Sequence, residues 1–227
     1  MRRIIMGCKF YHRSGKLVIF LILLLPIANS FAQSPWKLST EKDGIRVFSR
    51  TVPDSKVKAL KVECVLKTTL SQLVTLLLDV NETDQWVYHT KTCVLVRKVS
   101  PSDIYYYAEV SLPWPMENRD FVAHIRVFQN SQTKIVTVDA PAVSGIIPIK
   151  KGIVRISHSK GFWKIIPLDQ NLVKLEYTLQ VDPGGVIPAW IVNTFAAQGP
   201  LESFRNMKEQ LTHPRYRNAT LPFIVNW

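Results

Sequence analysis

Cysteine is scarce in this chain of 227 residues, which holds three. Cys8 lies near the N-terminus, whereas Cys64 and Cys93 lie in apolar segments typical of buried strands. So few cysteines exclude a small scaffold held together by several disulfides. A disulfide between Cys64 and Cys93 is one alternative. Two free, buried thiols are the other, and they are more common in such segments.

Motifs for metal binding and for catalysis are also lacking. The histidines have neither the H-x-x-H nor the H-E-x-x-H spacing, and no C-x-x-C pair occurs. There is no G-x-S-x-G turn and no glycine-rich phosphate loop before a helix. We therefore expect no metal and no cofactor. The missing motifs make an enzyme the second hypothesis. It stays open because acid and base groups that come from distant strands would leave no local motif in the sequence.

Acidic residues are few, because 17 Asp and Glu stand against 29 Lys and Arg. The resulting formal net charge of +12 favours either solubility or attraction to an anionic surface. No Lys/Arg-rich block and no aromatic platform occurs, so we expect transient contact with an anionic membrane and no nucleic-acid partner. At 47% hydrophobic residues, the chain suits one globular domain with a real core, and we expect a monomer.

The N-terminal segment has the pattern of a cleaved secretory signal. Five basic residues precede an uncharged apolar run from Leu17 to Ala28, and Ser30-Phe31-Ala32 supplies small residues where a signal peptidase cuts. The run is shorter than the ~20 residues that cross a bilayer, and Pro26 interrupts it. The sequence predicts a signal peptide, 1–32, cleavage near Ala32, and a periplasmic or secreted protein. Cleavage lowers the net charge from +12 to +7.

Short apolar segments then alternate with turn signals. One helix is expected early, where leucines from 70 to 78 recur at helical spacing, and a longer one from Pro188 to about residue 211. Gly199-Pro200 should kink or split the second helix. Antiparallel strands are expected at 45–48, 57–66, 93–99, 104–112, 121–128, 134–140, 153–157, 162–167 and 173–181. The class is therefore α+β, with a long curved sheet that closes around something.

The segment from Pro113 to Phe128 organises this pattern. Two prolines hold Trp114 at a stiff corner, and a strand follows in which one parity is apolar throughout. Arg119 and Asp120 open that strand and point to opposite faces. We therefore expect each of them to anchor a different neighbour.

This segment, P-W-P followed by R-D-F-V, resembles the central signature of START domains, and the chain is similar to a secreted bacterial member. Four further landmarks occur in the order typical of that family, and the resemblance covers about residues 36–211. They are Asp79 with Trp86, G-I-V-R from Gly152, W-K-I-I-P from Trp163, and D-P-G-G-V-I-P-A-W from Asp182. The resemblance implies a helix-grip fold over 33–211, in which the sheet wraps around a C-terminal helix. A flexible tail, 212–227, should tuck onto this domain.

The resemblance also implies a function, which is to bind a hydrophobic or amphiphilic lipid in a cavity between sheet and helix, for sequestration or transfer. Periodicity alone would fit an ordinary packed core equally well. The expected ligand-binding residues lie on the inward parity of three strands, at the P-W-P corner and on the last helix. They are Tyr106, Ala108, Val110, Trp114, Arg119, Phe121, Ala123, Ile125, Leu175, Tyr177, Leu179, Trp190, Thr194 and Phe195.

The loop 143–152 is too apolar to be merely solvated. Its Ile146, Ile147 and Ile149 need apolar partners, while Lys150 and Lys151 suit an anionic headgroup layer. We expect this loop to be a lid over the cavity; permanent burial of the isoleucines is the alternative.

Two other functions stay open. A helix-grip enzyme acting on a hydrophobic substrate, such as a cyclase or hydrolase, would use Tyr107, Glu109, Arg119 and His124, although parity places them on both faces. An envelope interaction module would have its cavity filled by side chains. Some sterol-binding START members carry a second arginine six positions after the motif arginine, where this chain has Ile125. Either the ligand lacks the polar group that such an arginine would bind, or Arg119 supplies that contact from the start of the strand. The identity of the lipid is left open.

Overall fold

The computed structural model describes residues 34–52 and 58–226. The predicted signal peptide, 1–32, lies outside these residues. Within them, no helix is both long enough and apolar enough to cross a membrane.

A large antiparallel sheet dominates the described chain and carries two α-helices. The elements are β1 (Lys37–Lys42), β2 (Ile45–Arg50), β3 (Ala59–Leu66), α1 (Leu70–Leu78), a 3-10 helix (Val80–Gln85), β4 (Thr90–Ser100), β5 (Asp103–Val110), β6 (Asn118–Gln129), β7 (Val136–Pro141), β8 (Ile153–Arg155), β9 (His158–Asp169), β10 (Leu172–Asp182) and α2 (Ala189–Gln210). The strand order in the sheet is β1-β2-β3-β10-β9-β7-β6-β5-β4, and β8 runs parallel to the start of β6. This architecture confirms the predicted α+β helix-grip class.

The register of the strands decides which side chains share a face. Residues directly opposite each other in an antiparallel pair point to the same side of the sheet. Tyr106 lies opposite Ala123, and Leu179 lies opposite Gly161. The predicted parity therefore places one continuous inner face on the concave side of the sheet.

An aromatic cluster fills one end of this inner face. Trp163 stacks on Tyr177 at 4.0 Å between ring centroids and on Phe204 of α2 at 5.7 Å. Trp86 packs edge-on against Trp163 at 6.4 Å. Phe204 and Met207 are 2% and 0% exposed, so the C-terminal half of α2 is firmly seated in the core.

The helix α2 is continuous through Pro200, so the predicted split does not occur. A side chain at Gly199 would lie 3.3 Å from the ring of Tyr88, so glycine at this position allows that ring to approach the helix closely. The backbone N–H of Tyr88 also donates to the hydroxyl of Ser203 at 3.0 Å. These contacts on both sides of Pro200 hold the helix together although proline removes one backbone donor.

The C-terminal tail is part of the packed domain rather than a loose extension. Tyr216 and Ile224 are 1% and 7% exposed. The hydroxyl of Tyr216 donates to Asp79 at the end of α1 at 3.0 Å. Gln129 exchanges two hydrogen bonds of 2.8 Å with the backbone of Val225. Residues 212–226 thus close the end of the molecule that carries α1.

Candidate functional site

The inner face changes from buried to accessible along its strands. On β10, Val173 and Leu175 are 1% and 0% exposed, whereas Tyr177 and Leu179 keep accessible surface. On β6, Ile125 is 5% exposed, and accessible surface appears again at Phe121. The face is therefore filled at the α1 end and opens toward the other end.

Small residues occupy the centre of the opening face. Gly161 lies opposite Ala140, and Ala123 bridges to Ala142. Ala108 on β5 completes this group and lies opposite Phe121. Ala108 and Ala123 are 3% and 2% exposed, and a side chain at Gly161 would lie 3.7 Å from the hydroxyl oxygen of Tyr177, so larger side chains cover this row. The candidate binding cavity is therefore bordered by the inner-face residues that keep accessible surface, which are Tyr106, Phe121, Tyr177 and Leu179.

Two tyrosines reach into this space. Tyr106 packs edge-on against Phe121, with ring centroids 5.8 Å apart. Burial raises the pKa of Tyr106 and the pKa of Tyr177 above the usual value for tyrosine. Both nevertheless keep accessible surface, so the space beside them is not occupied by protein atoms.

The helix side of the cavity is only partly described. Thr194 and Phe195 are half-buried. The ring of Phe195 packs against Tyr88 at 5.4 Å and His89 at 5.2 Å, so it joins α2 to the segment after the 3-10 helix. Trp190 belongs to α2, but its side chain lies outside the described part of the structure.

Five of the expected cavity residues do not border accessible space on the inner face: the exposed Trp114 and the buried Leu175, Ala108, Ala123 and Ile125. The side chain of Trp114 is 91% exposed, because the proline-flanked turn between β5 and β6 projects it away from the sheet. Leu175 is 0% exposed and belongs to the packed core beneath the cavity. Parity predicted its face correctly but carries no information on its depth.

Arg119 is a buried bridge between the start of β6 and the segment that precedes α2. It is 3% exposed and donates to the carbonyl oxygens of Glu117 at 2.6 Å, Pro183 at 3.4 Å and Gly184 at 3.3 Å. Burial lowers its pKa. No carboxylate pairs with Arg119 among the described residues, so carbonyl oxygens alone accept its hydrogen bonds.

Asp120 serves the opposite face, as its position next to Arg119 predicted. It is 1% exposed and pairs with Arg155 through two contacts of 2.6 and 3.0 Å. Arg155 also donates to the carbonyl oxygens of Ile147 and Pro148 at 3.0 and 3.2 Å. The ion pair therefore ties the loop 143–152 to the sheet.

The isoleucines of this loop differ in burial. Ile147 is half-buried, whereas Ile146 is 39% and Ile149 is 75% exposed. The expectation that all three have apolar partners is therefore wrong, because Arg155 holds the loop by its backbone and leaves Ile149 facing solvent. Lys150 folds back over the ring of Tyr107 at 4.1 Å.

The residues of the enzyme hypothesis do not converge. Tyr107 and Glu109 lie on the outer face under loop 143–152, where Glu109 binds Lys91 at 2.8 Å. His124 lies on the outer face against Asp103 at 2.7 Å, while Arg119 lies on the inner face. The searched part of the chain contains no group of side chains suited to a metal ion.

Cys64 and Cys93 are free and buried, and burial raises the pKa of each thiol to about 12. They form no bridge. They also lack the thiolate character that nucleophilic chemistry requires.

A surface pocket of about 350 Å³ lies apart from the inner face, at the turn between β1 and β2. Charged side chains dominate its wall, among them Asp43, Arg46, Glu63, Lys174 and Lys208. It contains none of the predicted ligand-binding residues.

Replacing Arg119 with alanine should lower the free energy of unfolding of the lipid-free protein by about 1–3 kcal/mol, because three carbonyl oxygens lose a charged donor. Urea unfolding measures this change. Arg119→Lys should recover part of the loss, since one ammonium cannot reach all three carbonyls. An unchanged stability together with weaker lipid binding would instead make Arg119 a ligand contact.

Comparisons with known proteins agree with this geometry. The START domain family model matches residues 29–217. The crystal structure of a STAR-related lipid transfer protein from Xanthomonas axonopodis is 31% identical, covers 78% of this chain and 99% of its own, and superposes with a TM-score of 0.72. Human StAR-related lipid transfer protein 5, at 18% identity, shares the fold with a TM-score of 0.65 over 78% of this chain and 86% of its own.

Two relatives by sequence extend the comparison. Phosphatidylcholine transfer protein of Bos taurus is 27% identical over 178 residues, which are 76% of this chain and 82% of the relative. An uncharacterised protein of Pseudomonas aeruginosa is 25% identical over 193 residues, which are 85% of this chain and 95% of the relative. The family match spans most of the sequence, and the sheet and the last helix agree with it: the chain belongs to the START domain family.

Proposed function

We propose that this protein holds one amphiphilic lipid between the inner face and α2 and carries it between membranes. The observation that supports this most is the accessible surface that Tyr106, Phe121, Tyr177 and Leu179 keep on the inner face, beyond the part that the core fills. Relatives described as lipid transfer proteins share this family and fold.

The energetics of transfer require an apolar wall. A lipid that leaves a bilayer exposes apolar surface, at about 0.8 kcal/mol for each CH₂ group transferred to water. Phe121, Leu179 and Val110 offer apolar surface on the inner face that compensates this cost. A cavity lined in this way has no need of a catalytic group.

The protein purified from cells should contain lipid that mass spectrometry detects after extraction. The lipid-free protein should take up lipid from vesicles in a ratio near one lipid per chain. Protein that is isolated without lipid, and that takes up neither lipids nor an apolar dye, would contradict the proposed function.

The loops at the open end of the cavity are linked to one another. Arg119 joins residues 117 and 183–184, and Arg155 holds the loop 143–152. A side chain at Gly184 would lie 3.2 Å from Val154, so the segment before α2 also lies against β8. Arg155 and Lys150 fix one part of loop 143–152 on the outer face of the sheet. We propose that the rest of this loop covers the open end and acts as the lid of the cavity.

Exposed apolar side chains mark this end of the molecule. Trp114, Val186 and Ile149 are 91%, 89% and 75% exposed and come from three different loops. Lys150 and Lys151 are exposed next to Ile149. Tryptophan and aliphatic side chains insert at the edge of a bilayer, and lysines bind anionic headgroups. We propose that this end docks transiently on an anionic membrane.

Replacing Trp114 and Ile149 together with alanine should weaken binding to vesicles that contain anionic lipid at least tenfold, because two apolar side chains no longer insert. Vesicle sedimentation measures this binding. Phe128→Ala is the matched control, since Phe128 is 58% exposed but lies at the other end of β6, on the outer face. If Phe128→Ala weakens vesicle binding equally, membrane binding does not depend on the loops at this end of the molecule.

We also propose that the protein acts outside the cytoplasm, as a secreted bacterial member of its family. The support is the basic, apolar and small-residue order of the first 32 residues. N-terminal sequencing of the protein from its native cells should begin at Gln33. A chain that retains its first 32 residues would contradict cleavage.

A further inference from the structure

Two exposed apolar side chains at the open end belong to loops that are far apart in the sequence. Trp114 lies in the turn between β5 and β6, and Val186 lies in the segment between β10 and α2. They are 91% and 89% exposed. Since so little of either side chain packs on the domain, the position of each depends on the backbone that carries it.

One buried side chain joins these two loops. Arg119 is 3% exposed, and its guanidinium donates to the carbonyl oxygens of Glu117 at 2.6 Å and Gly184 at 3.3 Å. Glu117 is three residues from Trp114, and Gly184 is two residues from Val186. The N–H groups of a guanidinium have fixed directions in one plane, so this contact sets the position of one loop relative to the other.

The turn that carries Trp114 is held at both ends. Before the turn, the backbone N–H of Leu112 donates to the side-chain oxygen of Asn118 at 3.3 Å. After the turn, Arg119 binds the carbonyl oxygen of Glu117. The turn is therefore fixed to the start of β6 and provides a firm base for its exposed tryptophan.

The segment that carries Val186 depends more on Arg119. Gly184 and Gly185 both have left-handed backbone angles, with φ of 67° and 62°. Glycine leaves this conformation easily, because no Cβ restricts it. Asp182 accepts a bond from the N–H of Gly184 at 3.0 Å, which fixes the first glycine alone. Arg119 binds the carbonyl oxygens of residues 183 and 184 and so holds the segment against the start of β6.

We propose that Arg119 is a positioning residue for membrane docking, which holds the Trp114 turn and the Val186 segment as one unit that enters an anionic phospholipid bilayer. This inference rests on the proposed docking of the open end. Two apolar groups at a fixed spacing bind a surface more tightly than two independent ones, because the second inserts at a high effective concentration after the first. Arg119 itself is buried and contributes without meeting the bilayer.

The test compares variants in sedimentation with vesicles of dioleoylphosphatidylcholine and dioleoylphosphatidylglycerol in a ratio of about four to one. Arg119→Lys should weaken vesicle binding about fivefold, because one ammonium cannot reach the carbonyl oxygens of both loops. Val186→Ala should weaken binding by a similar factor, since an apolar side chain no longer inserts. The double variant should bind no more weakly than either single variant, because both changes remove the same insertion.

A distance measurement tests the coupling in solution, without vesicles. Spin labels are attached to Trp114→Cys and Val186→Cys in a chain that also carries Cys8→Ser; Cys64 and Cys93 are buried. Pulsed electron paramagnetic resonance should give one narrow distance in this protein. Adding Arg119→Lys should broaden the distribution of distances. An equally narrow distribution with lysine would overturn the coupling.

Tyr216→Phe is the control for a general loss of stability. It removes a hydrogen bond to Asp79 at the opposite end of the molecule, near α1. This variant should be less stable in urea and should keep both its vesicle binding and the narrow distance. If it weakens vesicle binding as much as Arg119→Lys does, binding follows stability, and the positioning role is overturned.

The remaining outcomes separate the inference from the proposal on which it rests. A double variant whose loss of binding equals the product of the two single losses would show that Arg119 acts independently of Val186, which overturns the inference alone. Unchanged vesicle binding of Arg119→Lys would do the same. If the unmodified protein binds no vesicles, the proposed docking fails and the inference fails with it, while lipid uptake still tests the proposed lipid binding.

Discussion

The stacking of Phe204 on Trp163, with ring centroids 5.7 Å apart, fixes how far α2 stands from the sheet. Large rings that pack at one end act as a spacer for the rest of the helix. Beyond them, Tyr106, Phe121, Tyr177 and Leu179 keep accessible surface on the same face of the sheet. The cavity follows from this change along the inner face, because close packing is satisfied at one end and interrupted at the other.

The open end depends on two arginines that serve opposite faces of the sheet. Arg119 gathers backbone carbonyl oxygens on the inner side, while Arg155, held by Asp120, secures the loop 143–152. Since these bonds go to backbone atoms, the loops are placed without use of their side chains. Trp114, Ile149 and Val186 are thereby left free to face solvent or a membrane.

The sequence predicted the class of fold and the inward parity of β5, β6 and β10, because alternation in a strand directly reports its two faces. Depth and register were not predictable in the same way. Leu175 and Tyr177 share one parity, yet the first is fully buried and the second borders open space. The partner of Asp120 lies 35 residues away, so no local pattern could identify it. Gly161 was not among the predicted residues, because its role depends on the residues opposite it on the neighbouring strands, Ala140 and Leu179.

The most direct measurement of the central claim is photo-crosslinking with a lipid that carries a diazirine on its acyl chain, followed by peptide mapping. If the lipid lies between the sheet and α2, labels should fall on the inner face, at Phe121, Tyr177 and Leu179. Phe128 and Phe162 provide the contrast, since they are 58% and 41% exposed and point away from the cavity on the outer face. Labelling confined to inner-face residues is the predicted result, and labelling mainly at Phe128 and Phe162 would contradict it.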